Sequence, residues 1–176
     1  MHSLSAFEYN FFMKLETPAP NFTLNDLDRH THSLADDRGR IVIVNFWSAE
    51  CPHTARVDVD LLPLLEGWGG KVQLLQIASN STESLDMLRK VAEERRVGVI
   101  LHDANQVVAN AYGATNTPHI FIVDAEGLIQ YHGAYDDVTF RQRSPTRNYV
   151  EDAVESLLNG SKPVVTSAPS FGCTIV

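Results

Sequence analysis

The sequence lacks the features that mark nucleic-acid-binding, membrane-spanning and disulfide-stapled proteins. Its 176 residues carry 14 Lys and Arg against 22 Asp and Glu, a formal net charge of -8, whereas a nucleic-acid-binding surface is basic. No apolar run approaches the roughly 18 residues of a membrane-spanning helix. Two cysteines, Cys51 and Cys173, are too few to staple a fold, and hydrophobic residues, 44% of the chain, suffice for one core without disulfides. We therefore expect neither a nucleic-acid partner nor a membrane-embedded segment.

The first residues also lack the pattern of a secretory signal peptide. Phe7, Tyr9 and Phe11 alternate with polar residues, and there is no basic start, continuous apolar stretch or small-residue cleavage site. We therefore expect a cytoplasmic protein. In a reducing compartment two cysteines indicate redox chemistry or free thiols more than a permanent disulfide.

Apolar periodicity predicts strands that alternate with helices, which is typical of an α/β domain with a mixed sheet. The predicted elements are a hairpin over 21–34, a buried strand over 41–47, a helix from Pro52 to the glycines of 67–70, a strand over 72–78, a helix capped by Ser81, a strand over 97–101, a helix over 107–112, a hairpin over 120–131 and a helix over 148–159. The predicted organisation is an N-terminal arm (1–16), one domain (17–160) and a C-terminal tail (161–176) that carries Cys173.

The strongest chemical signal is the segment 46–54, FWSAECPHT, which places Cys51 between a buried strand and a helix. Pro52 fits the first position of that helix because a proline there loses no helical hydrogen bond. The free N–H groups and the positive end of the helix dipole favour thiolate over thiol at this place. The pattern predicts a partly exposed, nucleophilic Cys51 with a lowered pKa. The alternative is a cysteine that only packs under the helix.

Asn45-Phe46-Trp47 leading to Cys51-Pro52 resembles the active-site strand of the thioredoxin superfamily, in particular its redoxin branch of TlpA-like and peroxiredoxin-like (AhpC/TSA) proteins. The segment 19–24 resembles that branch's N-terminal strand, Thr117-Pro118 its cis-proline loop, and 160–173 the cysteine-bearing tail of a peroxiredoxin-like subgroup. The resemblance implies a thioredoxin-like fold, with a mixed central sheet flanked by helices and an N-terminal β-hairpin extension. It also implies a cis peptide bond before Pro118.

The chain departs from these families at positions that matter for chemistry. Thr54 stands where thioredoxin has its second cysteine, and Asn45 stands where it has a buried acid. Val44 and Ser48 stand where a true peroxiredoxin has Pro and Thr. The position at which a peroxiredoxin has its peroxide-polarising arginine falls near Pro118 in this chain. These departures weaken the interpretation as a peroxidase. They also leave Cys51 without a local disulfide partner.

The resemblance implies a set of site residues. The expected catalytic residues are Cys51, Cys173, Thr54 and Pro118, and the expected substrate-binding residues are Trp47, Pro52, His53, Thr117 and His119. In this interpretation the backbone of Thr117 pairs with an extended peptide of the partner. The tail from Gly160 could extend over roughly 43–47 Å, well beyond the ~16 Å radius of gyration of such a domain, so Cys173 can reach Cys51. We expect a mobile tail with the two sulfurs apart when reduced; a Cys173 without a role stays an alternative.

The predicted function is thiol–disulfide exchange through Cys51, with Cys173 as the resolving thiol. One alternative is a peroxiredoxin-like hydroperoxide reductase, an antioxidant enzyme. A non-enzymatic alternative is a metal-binding module that uses Cys51, His53 and His119; the preferred interpretation needs no metal and no other cofactor. The expected partners are a disulfide or hydroperoxide and a thiol reductant. The sequence leaves the oligomeric state open, a homodimer included.

Overall fold

The computed structural model describes residues 14–176, so most of the predicted N-terminal arm lies outside the described residues. The strands are β1 Thr23–Asn25, β2 Thr31–Ser33, β3 Ile41–Trp47, β4 Val72–Ala78, β5 Ile100–His102, β6 Asn116–Thr117, β7 His119–Val123, β8 Ile129–Gly133, β9 Ser167–Ala168 and β10 Cys173–Thr174. The α-helices are α1 Pro52–Trp68, α2 Leu85–Arg95, α3 Val107–Tyr112 and α4 Tyr149–Leu158. In residues 14–176 every helix is too short or too polar to cross a bilayer.

A mixed six-stranded sheet organises the molecule, with strand order β5-β4-β3-β7-β8-β9. Strands β3, β4 and β5 are parallel, and β7 pairs antiparallel with both β3 and β8. All seven residues of β3 are buried, because a central strand covered by helices has no solvent-facing side. The predicted central strand over 41–47 is therefore confirmed, as is the N-terminal hairpin, which β1 and β2 form.

The two faces of the sheet carry different helices. Helices α1 and α4 pack on one face through Val57, Leu61 and Val154, against Ile43 and Ile122 of the sheet. Helix α3 packs on the other face with alternate residues of the same strands, since successive side chains of a strand point to opposite faces. The carboxyl end of β3 thereby lies beside the start of α1 and beside the turn from β6 to β7. That edge of the sheet holds the candidate site.

Two boundaries differ from the sequence-based expectations. Ser84, not Ser81, is the N-cap of α2 and accepts a hydrogen bond from the Met87 N–H; Ser81 instead donates to the Val176 carbonyl oxygen. Strand β5 begins at Ile100 and not at residue 97, because the Val97 N–H still bonds to Ala92 at the end of α2.

The largest difference concerns the C-terminal tail, which was expected to be mobile. It docks on the domain at two places: β9 pairs with β8, and β10 pairs antiparallel with β6. The tail is extended, as Pro163 and Pro169 favour. It is not mobile, because residues 167–168 and 173–174 pair with strands of the domain.

Candidate active site

Cys51 is the N-cap residue of α1, and Pro52 is the first residue of that helix. The Cys51 N–H donates to Ser48 Oγ at 3.2 Å, which fixes the turn between β3 and α1. The predicted position at a helix start is therefore confirmed. The predicted partial exposure is wrong, because Cys51 is only 1% exposed and the docked tail covers it.

The Cys51 sulfur lies between a thiol that can donate a hydrogen bond to it and a carbonyl oxygen that can only accept one from it. It lies 2.6 Å from Cys173 Sγ and 3.2 Å from the Thr117 carbonyl oxygen. Burial acts to raise the pKa of Cys51, but hydrogen bonds from the Cys173 thiol and from Thr54 outweigh it and bring this pKa below its ordinary value. Within residues 14–176 the buried Thr54 hydroxyl makes no hydrogen bond to any other group, so nothing competes with the Cys51 sulfur for its hydrogen. The lowered pKa is as predicted.

For Cys173 the same contact acts in the opposite direction. Burial, the hydrogen bond with Cys51 and the charge of Cys51 raise the pKa of Cys173 to about 12. Of the two sulfurs, Cys51 therefore loses its proton at the lower pH. Since the thiolate and not the thiol is the nucleophile, Cys51 is the attacking atom of the pair. The two thiols are not linked to each other.

The tail places Cys173 by strand pairing. Cys173 is in register with Thr117, and Thr174 with Asn116. The expectation that the reduced sulfurs lie apart is therefore wrong: main-chain pairing holds the tail strand on β6. The peptide bond between Thr117 and Pro118 is cis, as predicted, and both residues are buried.

A carboxylate that the sequence-based prediction missed holds the turn before Cys51. Glu83 Oε1 accepts hydrogen bonds from Ser48 Oγ at 2.5 Å and from the Glu50 N–H at 3.0 Å, and Glu83 is buried. The position of Glu83 in the sequence could have indicated this role. Glu83 follows β4, as Cys51 follows β3, and the carboxyl ends of neighbouring parallel strands meet at one edge of the sheet.

Trp47 lies beneath the site and not on its surface. It is completely buried, so the prediction that it binds substrate is wrong. Its indole N–H donates to Asp58 at 3.0 Å, and Arg95 lies 3.3 Å from the same carboxylate. Burial raises the pKa of Asp58, although hydrogen bonds from Trp47, Arg95 and Gln76 oppose this. The group supports α1 and the turn above it.

The histidines are separated by the sheet. His53, partly exposed at the start of α1, packs edge-on against Phe171 with ring centroids 4.8 Å apart. His119 stacks on Phe121, on the α3 face of the sheet, whereas α1 packs on the other face. The proposed three-ligand set of Cys51, His53 and His119 is therefore not assembled, and the described residues contain no group of three or more metal-ligand side chains.

Comparison with known proteins shows the family. The model of the AhpC/TSA family matches residues 15–132. The thiol-disulfide oxidoreductase ResA of Geobacillus thermodenitrificans is 32% identical over 132 residues, which cover 69% of this chain and 72% of that protein. The thiol:disulfide interchange protein DsbE of Allochromatium vinosum is 29% identical over 119 residues, 66% of this chain and 65% of that protein. The chain therefore spans just under two thirds of the length of that DsbE.

Solved structures agree on the fold. An uncharacterized conserved protein from Geobacillus kaustophilus superposes with a TM-score of 0.86 at 29% identity, over 94% of this chain and 93% of that chain. The thioredoxin domain of a thiol-disulfide oxidoreductase from Bacteroides vulgatus gives a TM-score of 0.63 at 21% identity, over 85% of this chain and 98% of that chain. At that identity the second match shows the fold alone, which is thioredoxin-like, as predicted.

Proposed function

This chain belongs to the AhpC/TSA family, and on that premise we propose that it is a thiol–disulfide oxidoreductase in which Cys51 attacks a substrate disulfide and Cys173 resolves the product. The observation that carries the proposal is the 2.6 Å separation of the two sulfurs at the start of α1. The names of the relatives ResA and DsbE support the reaction class.

The first step is attack of the Cys51 thiolate on one sulfur of the substrate disulfide. A Cys51–substrate disulfide forms, the substrate's own S–S bond breaks, and the second substrate sulfur leaves as a thiolate. The lowered pKa of Cys51 increases the fraction of this sulfur that is present as thiolate. The start of α1 stabilises the negative charge on this sulfur before the attack.

The second step uses Cys173. Its proton passes to the departing thiolate, and the resulting Cys173 thiolate attacks Cys51 Sγ. This attack forms a Cys51–Cys173 disulfide and releases the first substrate sulfur as a thiolate, which takes a proton from water. The substrate gains two electrons and two protons: the protein supplies both electrons and one proton, and water supplies the other proton. An external dithiol then reduces the Cys51–Cys173 disulfide and returns the protein to its starting state.

Turnover of a fluorescent peptide disulfide with dithiothreitol as reductant tests this assignment. Cys51→Ser is expected to abolish turnover. Cys173→Ser is expected to accumulate a Cys51–peptide mixed disulfide, visible by intact mass, and to turn over at least about tenfold more slowly with a monothiol reductant, because no internal thiol expels the product. A Cys51→Ser protein with parental activity contradicts the proposal outright. If Cys173→Ser turns over normally and no adduct accumulates, the external reductant and not Cys173 cleaves the Cys51–peptide disulfide.

Peroxide reduction is the second candidate, and the AhpC/TSA match favours it. The site is a poor fit for that chemistry, because the Ser48 hydroxyl at the peroxiredoxin threonine position is already bonded to Glu83. We expect peroxide consumption per Cys51 to be much slower than reduction of the peptide disulfide. A faster reaction with hydrogen peroxide than with the peptide disulfide reverses the order of the two candidates.

A further inference from the structure

The tail lies where a partner's peptide was expected to pair. Beyond the register of Cys173 with Thr117, the Ile175 N–H donates to the Thr115 carbonyl oxygen at 2.9 Å, and Ser170 Oγ donates to Asn116 Oδ1 at 2.7 Å. Alternate residues of this segment, namely Phe171, Cys173 and Ile175, are half-buried, while Gly172, Thr174 and Val176 are exposed. This is the alternation of a strand laid on a surface.

Side chains fix the tail on both sides of Cys173. The ring of Phe171 lies between His53 and Phe140, with centroid distances of 4.8 and 4.7 Å. Ile175 packs against the buried cluster on the α3 face. The contacts of residues 170–175 therefore resemble those of a bound peptide: main-chain pairing, with pockets for alternate side chains.

We propose that residues 170–175 are an intramolecular competitor that occupies the peptide-binding edge of β6, so that an extended cysteine-containing peptide of a partner pairs there only after the tail has left. The proposal rests on the proposed function and adds a condition to it. The main chain of Thr117 cannot pair in the same register with the tail and with a partner strand. Cys51, 1% exposed beneath the tail, is reached by a partner disulfide along the same path.

Gly172 separates tail docking from thiol chemistry. Its backbone lies directly on the Thr117 carbonyl group, and a Cβ at this position would collide with the Thr117 carbonyl oxygen, which is backbone and cannot rotate away. Gly172→Ala is therefore expected to displace the tail strand while both cysteines and α1 stay intact. Gly67 is the matched control, because a Cβ there has open space within 4 Å and the backbone φ is not positive.

The test measures the first chemical step alone, in a Cys173→Ser background in which no internal thiol reacts. A short cysteine peptide joined to thionitrobenzoate is the substrate, and release of coloured thionitrobenzoate reports attack by Cys51. Gly172→Ala/Cys173→Ser is expected to react about tenfold faster than Cys173→Ser, which corresponds to about 1.4 kcal/mol of tail docking. Gly67→Ala/Cys173→Ser is expected to match Cys173→Ser.

A synthetic peptide of residues 169–176 with Ser in place of Cys173 extends the test in trans. It is expected to slow the Gly172→Ala/Cys173→Ser protein towards the Cys173→Ser rate, whereas the same peptide with Ala in place of Gly172 leaves the rate unchanged. Equal rates of Gly172→Ala/Cys173→Ser and Cys173→Ser, both with native far-ultraviolet circular dichroism, overturn the proposal that the tail competes with a partner peptide. No reaction in either protein, despite native folding, overturns the proposed function instead. If the Gly172→Ala protein does not fold, a chain that ends at residue 169 takes its place. This chain is expected to react about tenfold faster than the full-length Cys173→Ser protein.

Discussion

Replacing Arg95 with methionine removes the cation that lies beside the buried carboxylate of Asp58. The guanidinium is 3.3 Å from Asp58 Oδ2, its carbon lies 5.5 Å from the centre of the Trp47 ring, and it also donates to the carbonyl oxygens of Ser48 and Ala49. Methionine keeps much of the apolar stem. The variant therefore tests the charge and its hydrogen bonds, which tie the turn before Cys51 to the body of the domain.

The expected loss is about 3 kcal/mol in the free energy of unfolding at neutral pH, the low end of the cost of leaving one charge of a buried pair unpaired. It is the low end because the Trp47 indole still donates to Asp58 and because the Arg95 side chain is 22% exposed. Burial already raises the pKa of Asp58, so its ionised form opposes folding at pH values above the unfolded pKa of about 3.9. Without Arg95 this pKa rises further, so the deficit is largest at neutral pH and shrinks as acid protonates Asp58.

Urea unfolding of Arg95→Met and the parent, at neutral pH and near pH 4, measures both the loss and its pH dependence. Thermal scans are expected to show a fall of about 6–12 °C in Tm, since each kcal/mol corresponds to about 2–4 °C in a domain of this size. Arg96→Met is the control, because Arg96 is exposed and makes no ion pair within residues 14–176. A deficit below about 1 kcal/mol, or one that grows in acid, refutes the role assigned to the pair.

Three further outcomes follow from the site and the sheet. Cys173→Ala is expected to raise the pKa of Cys51, and Cys173→Ser to raise it less, because the Cys173 thiol is the strongest of the contacts that oppose burial at Cys51; ultraviolet titration of the thiolate measures this. Burial and neighbouring His132 lower the pKa of His119 to about 4. The folded state therefore favours the neutral imidazole, and this contribution to the free energy of unfolding, complete above about pH 6.5, falls by up to about 3 kcal/mol on acidification towards pH 4. His119→Gln is expected to flatten this pH dependence in urea unfolding. Gly133→Ala would drive a Cβ into the Ala168 carbonyl group, and is expected to speed proteolysis of the tail; unchanged cleavage contradicts the pairing of β9.

Much of the fold could be predicted from local signals. The β-branched run over 41–47 and the proline after Cys51 each encode their structure within a few residues, whereas the cis bond before Pro118 was expected from the resemblance to the thioredoxin superfamily; the structure has all three as expected. The choice between Ser81 and Ser84 as the cap of α2 could not be predicted, since either hydroxyl can cap a helix and the outcome depends on a contact between Ser81 and the distant Val176.

The tail could not be predicted for a related reason. The alternation of Phe171, Cys173 and Ile175 with Gly172 and Thr174 is compatible with a strand, but it does not identify the partner strand, because pairing between β10 and β6 uses main-chain groups that every residue carries. The requirement for glycine at position 172 becomes clear only once its contact with Thr117 is known. His119 illustrates a second limit: a residue next to a predicted cis-proline was expected near Cys51, but the alternation of β7 directs it to the α3 face with Phe121.

The roles of Cys51 and Cys173 are tested most directly by a single turnover of the reduced parent protein with one equivalent of the peptide disulfide, quenched in acid and mapped by non-reducing peptide mass analysis. We expect that both halves of the substrate are released as thiols, and that the major linked species is a disulfide between Cys51 and Cys173 of one chain. A stable Cys51–peptide adduct with Cys173 still reduced, or disulfide-linked dimers in place of the intramolecular bond, would contradict it.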